Sequence, residues 1–209
     1  TLSIHSFPTR RSSDLADGDA VWNSARTILT VKMNKDAKWS DGTAVTANDV
    51  AYTFDTNVKY ESAGGSDYKT YIQSVKAKDD STVVFTAKLN SAGVAVNPLK
   101  VTEYLPKQFV MQKAYLQKVE ARDKNDATKV KTDKMNDLVA SGPYKPFISN
   151  DQKLVLKRDD NYWGKATSMW GKLPVPKYIA HNIFKDNAAG DTAFKAGQVD
   201  VSQQFISKD

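Results

Sequence analysis

Tyr68 and Tyr71 stand just beyond Gly64-Gly65, in a stretch rich in Gly and Ser. A phenol offers a flat face for stacking and a hydroxyl for hydrogen bonding, so two of them beside a flexible turn are candidates for holding a polar ligand. Gln203, Gln204 and Phe205 form a second candidate group, just after an expected strand beginning at Val199–Val201. Strand ends in α/β lobes can face a cleft. Primary amides pair equally with peptide main chain or sugar hydroxyls, so these residues point to a polar ligand without choosing its class.

None of these residues is arranged for covalent chemistry. The chain of 209 residues has no cysteine, which excludes disulfides, thiolate zinc sites and cysteine nucleophiles. Of the two histidines, His5 lies in an atypical leading segment and His181 stands alone in a strand pattern, so neither a metal nor a cofactor is expected. No Ser-His-Asp arrangement, phosphate-cradling glycine loop or paired-carboxylate pattern stands out, and the expectation is a binding protein and not an enzyme. The net charge of +6 comes from lysines set among aspartates, as in Arg122-Asp123-Lys124. That is a solvated mixed surface, not a nucleic-acid footprint, although it favours anionic surfaces such as bilayer headgroups through a screened field. No run of eighteen apolar residues could cross a bilayer.

The elements that must position the candidates follow from pattern. Thr27 to Met33 alternates with the period of a strand, and Asp41-Gly42 marks a tight turn. Thr46 and Asp49 form a capping box that opens a helix at Ala47, with Val50, Phe54 and Val58 on its buried stripe. Tyr60 to Lys69 reads as an exposed loop. Ile72–Lys78 and Thr82–Leu89 read as a hairpin that can join the first strand in a small antiparallel sheet. Tyr104 to Val119 is helix-like, with Pro106 at an early position. Ala121 to Asp137 lacks apolar period and reads as a surface loop. After Ser141-Gly142-Pro143-Tyr144, strands are expected at Lys153–Arg158 and Tyr178–Phe184, and a helix capped at Asp186-Asn187 runs through Lys195 to a stop at Gly197. Trp39, Tyr162 and Trp163 are assigned to packing.

Several of these stretches, in order, resemble the peptide/nickel-type solute-binding proteins of ABC transporters. They are Lys38-Trp39-Ser40-Asp41-Gly42-Thr43 continuing to Phe54, then Ser141-Gly142-Pro143-Tyr144 with Leu154 to Gly164, and then Ala193-Phe194-Lys195-Ala196-Gly197-Gln198-Val199-Asp200. The resemblance covers Ala16 to Asp209. Thr1 to Leu15 instead resembles the conceptual translation of a sequencing adapter, and it is expected not to pack.

The resemblance implies an α/β, periplasmic-binding-protein-like fold of the class II type: a small α+β lobe over 16–140 and part of an α/β base lobe over 141–209. Family members are longer and close with a further C-terminal lobe, so the chain is expected to be a fragment truncated at both ends. It implies capture of oligopeptides or dipeptides outside the membrane by a monomer, and delivery to ABC permease subunits through hinge closure. The compartment implied is the periplasm or, for a membrane-anchored lipoprotein, the cell surface. Cello- or xylo-oligosaccharides are the alternative ligand, because Leu173 to Ile179 and Ala188-Ala189 are similar to both branches.

Overall fold

The computed structural model describes residues 15–201. Four antiparallel strands come first in space: β1 (Val21–Trp22), β2 (Ile28–Lys32), β3 (Ile72–Asp79) and β4 (Thr82–Ala87), in the order β1-β2-β4-β3. Alternation fixes which face goes inward. Leu29 and Val31 of β2 are buried, and the register sets them opposite Phe85 and Val83 of β4, which in turn face Val75 and Ala77 of β3. A slip of one residue would turn all of these outward, so the apolar pattern and the register specify each other. Asp79 Oδ1 accepts from the Ser81 amide at 2.9 Å and closes the expected hairpin.

Helix α1 (Ala47–Lys59) packs across this sheet with Val50 and Phe54 inside and Val58 partly buried. Thr46 is its N-cap, and the Thr46 amide donates to Asp49 Oδ2 at 2.8 Å, the reach-back half of a capping box. The same carboxylate accepts from Trp39 Nε1 at 3.2 Å and from the Lys113 amide at 2.7 Å. Trp39 is 2% exposed, so the expected anchoring role holds. At the turn, Gly42 has φ +87° and donates its amide to Trp39 O at 2.9 Å, a conformation that favours a residue without Cβ.

Several expectations are corrected. Leu15, the last residue of the segment expected not to pack, is fully buried, and its carbonyl accepts from the Asn34 amide at 2.7 Å. The rest of that segment lies outside the described residues. Tyr60 to Lys69 is not simply an exposed loop. Tyr60 is buried, and Gly65–Tyr68 forms a short helix, α2. The expected helix from Tyr104 to Val119 is two helices, α3 (Pro98–Lys107) and α4 (Lys113–Arg122). Pro106 falls in the last turn of α3, where it helps to end the helix, and Pro98 holds the first position behind the Asn97 cap. The expected surface loop after Ala121 contains α5 (Ala127–Thr132), whose Val130 is buried beside Tyr60 and Tyr115.

A second antiparallel sheet follows: β5 (Tyr144–Ser149), β6 (Lys153–Arg158) and β7 (Tyr178–Asn182), in that order. Helix α6 (Asn187–Lys195) begins at Asp186, whose side chain accepts from the Ala189 amide at 2.8 Å, and Gly197 at φ +71° follows it as expected. No strand forms at Val199–Val201. Between β6 and β7, Tyr162 and Trp163 join the same apolar core as the first sheet, and Trp163 Nε1 donates to Ser141 O at 2.9 Å. Both were expected to pack.

Candidate ligand cleft

Two glycines and an asparagine place the candidate site. Gly64 takes φ +78° as the cap of α2, a left-handed conformation that few other residues adopt. Gly65 lies so close to α1 that a Cβ there would meet Asn57 O at 2.1 Å. This approach carries α2 against α1 and points Tyr68 inward, where its ring meets Tyr104 edge-on at 5.0 Å. On the other side, Asn97 Oδ1 accepts from the Lys100 amide at 3.2 Å and starts α3. Spacings of three and four then put Lys100, Glu103 and Lys107 on one helix face.

Between α2 and α3 lies an open cleft of about 380 Å³, lined by Asp67, Tyr68, Thr70 and Tyr71 from one side and by Lys100, Glu103 and Lys107 from the other. Tyr68 is only 8% exposed, so its ring serves the core and its rim serves the cleft, whereas Tyr71 is half-buried. Glu103 pairs with Lys100 at 2.8 Å and also with Lys107. Hydrogen bonds from Lys100 and then Lys107 hold the Glu103 carboxyl below the usual range, and Glu103 in return raises Lys100. The groups stay ionised, so the cleft presents both signs of charge. It suits a polar ligand with separated charges.

The sequence-derived candidates divide in two. Tyr68 and Tyr71 come together in this cleft. Gln203, Gln204 and Phe205 lie outside the described residues. Lys100, Glu103 and Lys107 were missed, and the Asn97-Pro98 helix start was the signal that could have revealed their shared face. His181 lies in β7 opposite Leu154, and among the described residues no group of three His, Cys, Asp or Glu could hold a metal ion.

A second polar cluster links α1 to α4. Glu120 accepts from Tyr60 Oη at 2.8 Å and Lys59 Nζ at 2.8 Å, and Tyr52 Oη donates to its other oxygen. Burial pushes the Glu120 carboxyl up, but these three donors outweigh it and leave the group below the usual range. Burial, and then the bond to Glu120, pushes the Tyr52 phenol up to about 12. The cluster is fully paired and lies outside the cleft lining, so it fastens the helices.

Comparison with known proteins places this geometry. The chain is 26% identical over 183 residues to the Probable peptide-binding protein YejA of Agrobacterium fabrum, covering 85% of this chain and 28% of that protein. It is 28% identical over 206 residues to the periplasmic oligopeptide-binding protein OppA of Escherichia coli, covering 88% and 34%. The chain therefore spans about a third of the length of these relatives. Among solved structures, a mannohexaose-bound periplasmic oligopeptide-binding protein of an ABC transporter from Thermotoga maritima superposes with a TM-score of 0.69 at 22% identity. That match covers 93% of this chain and 33% of the other, and it shows the shared periplasmic-binding-protein fold. The family model for bacterial extracellular solute-binding proteins, family 5 (middle), matches residues 12–209, so the chain belongs to that family.

Proposed function

We propose that this chain is part of the substrate-binding component of an ABC importer, taking up oligopeptides or dipeptides outside the membrane and passing them to permease subunits. The family match over residues 12–209 carries this reading, and two relatives whose names specify peptide binding support the ligand class. The polar cleft is consistent with it, because a peptide brings paired charges and a main chain that Thr70, Tyr71 and the ionised groups of α3 can match. Tyr68, Tyr71, Gln203, Gln204 and Phe205 are the proposed ligand contacts.

We further read 16–140 as a small lobe and 141–209 as part of a base lobe, in a monomer that works in the periplasm or as a lipoprotein on the cell surface. The role is binding, not catalysis. One observation favours a second ligand class: the Thermotoga maritima structure holds mannohexaose. An oligosaccharide, including cello- and xylo-oligosaccharides, is the alternative.

A thermal-shift comparison with short peptides and with cello-oligosaccharides tests the proposal, on this chain and on the full-length product that contains it. Ligand that binds only the native state raises the midpoint by mass action. Peptides alone are expected to raise it, and Tyr71→Ala is expected to reduce the shift. A shift with sugars alone would move the ligand to the second class, and no shift on the full-length product would overturn both.

A further inference from the structure

The outer face of the second sheet carries a feature that its packing does not require. The register sets Lys145 of β5 opposite Lys157 of β6, and Lys157 opposite Tyr178 of β7, so the three side chains form one row across the sheet. Tyr144 and Leu156, on the other face, are buried. Between Pro146 and Ile148 the register shifts by one residue, which makes Phe147 the extra residue of a β-bulge. Bulges re-aim a side chain. Phe147 is 54% exposed and Tyr178 46% exposed, with ring centroids 5.6 Å apart and planes tilted by 43°. Lys157 Nζ stands 5.6 Å from the centre of the Phe147 ring. Lys153, four residues earlier on β6, shares that face by alternation.

Two like charges directly across a strand pair repel each other. Asp159 relieves Lys145 in part, at 3.5 Å, while Lys157 lies over an aromatic ring and within the field of the Asp160 carboxylate. The row therefore presents a shelf of two flat rings edged by ammonium groups. Sugar rings stack their C–H faces on aromatic rings, and carboxylates on the same sugars would answer the lysines.

We propose that this face binds an anionic polysaccharide of the uronate type, in a surface separate from the cleft and independent of which solute the cleft accepts. The flat, half-exposed rings favour a sugar over a lipid surface, into which a side chain would insert as a wedge. Membership of an extracellular family favours a polysaccharide over nucleic acid.

The test measures binding of the 209-residue chain, and of the full-length product that contains it, to immobilised polygalacturonate, with dextran as the neutral polymer and oligo(dT) as the nucleic acid. Binding to polygalacturonate, weakened by salt and absent for dextran, is expected. Phe147→Ala and Lys157→Gln should each weaken it by about tenfold, the scale of one aromatic or cation–π contact. Lys172→Gln, an exposed lysine elsewhere, should leave it unchanged. Circular dichroism melts establish that the variants fold, and if Phe147→Ala does not, Lys145→Gln and Lys157→Gln decide the matter. No binding to polygalacturonate, equal binding to dextran, or binding indifferent to the face variants would overturn the proposal. Tighter binding of oligo(dT) through the same residues would overturn it in favour of a nucleic-acid surface.

Discussion

Ser40 and Ala140 are joined twice, a hundred residues apart: the Ser40 amide donates to Ala140 O at 2.7 Å, and the Ala140 amide donates to Ser40 Oγ at 3.1 Å. Ala140 is 1% exposed, so its amide has no ready access to water. Ser40→Ala keeps the first bond and orphans the Ala140 amide, which should destabilise the fold by about 1–3 kcal/mol. Urea unfolding followed by circular dichroism measures it. An unchanged midpoint would show that the second bond contributes nothing.

Gly65→Ala should be far more damaging than a typical glycine substitution. The new Cβ would fall 2.1 Å from a backbone oxygen of α1, and backbone cannot swing aside as a side chain can. The loss is expected to exceed about 3 kcal/mol, at the upper end for single substitutions. Gly171→Ala is the control. It has φ +68° but open space around it, and should cost only about 1–2 kcal/mol of backbone strain. Equal losses at the two sites would refute the close-approach argument.

The Tyr52 phenol should move part of the way back toward its ordinary value if its acceptor loses its charge, the share raised by burial remaining. In Glu120→Gln, absorbance at 295 nm should show phenol ionisation beginning at lower pH than in the parent, where Tyr52 lies at about 12. Tyr115, also pushed up to about 12 by burial and by Asp137, should not move. The sign for stability follows. A phenol raised on folding contributes fully below its unfolded value near 10, and the contribution is lost as pH climbs through the folded value.

Acid should loosen the α4–α5 connection. Arg122 holds Asp133 at 2.5 Å and Asp137 at 2.9 Å, and Lys118 reaches Asp137 at 2.7 Å. The Arg122 bond holds the Asp133 carboxyl below the usual range, and Lys118 with Arg122 does the same for Asp137. Carboxyls depressed on folding stabilise above their unfolded value near 4, and that stability is lost as pH falls through the folded values. After solvent screening the loss between pH 5 and pH 2 should be about 1 kcal/mol. Asp55, which burial raises, works in the opposite sense, so the diagnostic quantity is a difference. Arg122→Gln should flatten the acid limb of stability against pH relative to the parent, and an unaltered slope would remove Arg122 from the explanation.

Much of the architecture was legible because its signals are local. The Thr46/Asp49 cap, the Asp41-Gly42 turn and the 72–89 hairpin each declare themselves within a few residues, and all three stand in the structure. The misreadings share a different cause. Tyr60 looks like a loop aromatic until Glu120, sixty residues on, supplies its partner. α5 buries a single apolar side chain, Val130, and one residue has no period to detect. In the cleft, Tyr68 and Tyr71 could be nominated from their own neighbourhood, whereas Lys100, Glu103 and Lys107 become neighbours of theirs only through the packing of α3.

The position of Tyr162 and Trp163 bears on how the molecule comes apart. These rings arrive from beyond residue 140 to close a core built by β1–β4, α1 and α3, so the early and late parts of the chain share their largest apolar investment. Neither part can lose its order without exposing the other's interior. Melting should therefore be cooperative across residue 140, and a backbone nick there would leave two pieces that remain associated until both unfold together.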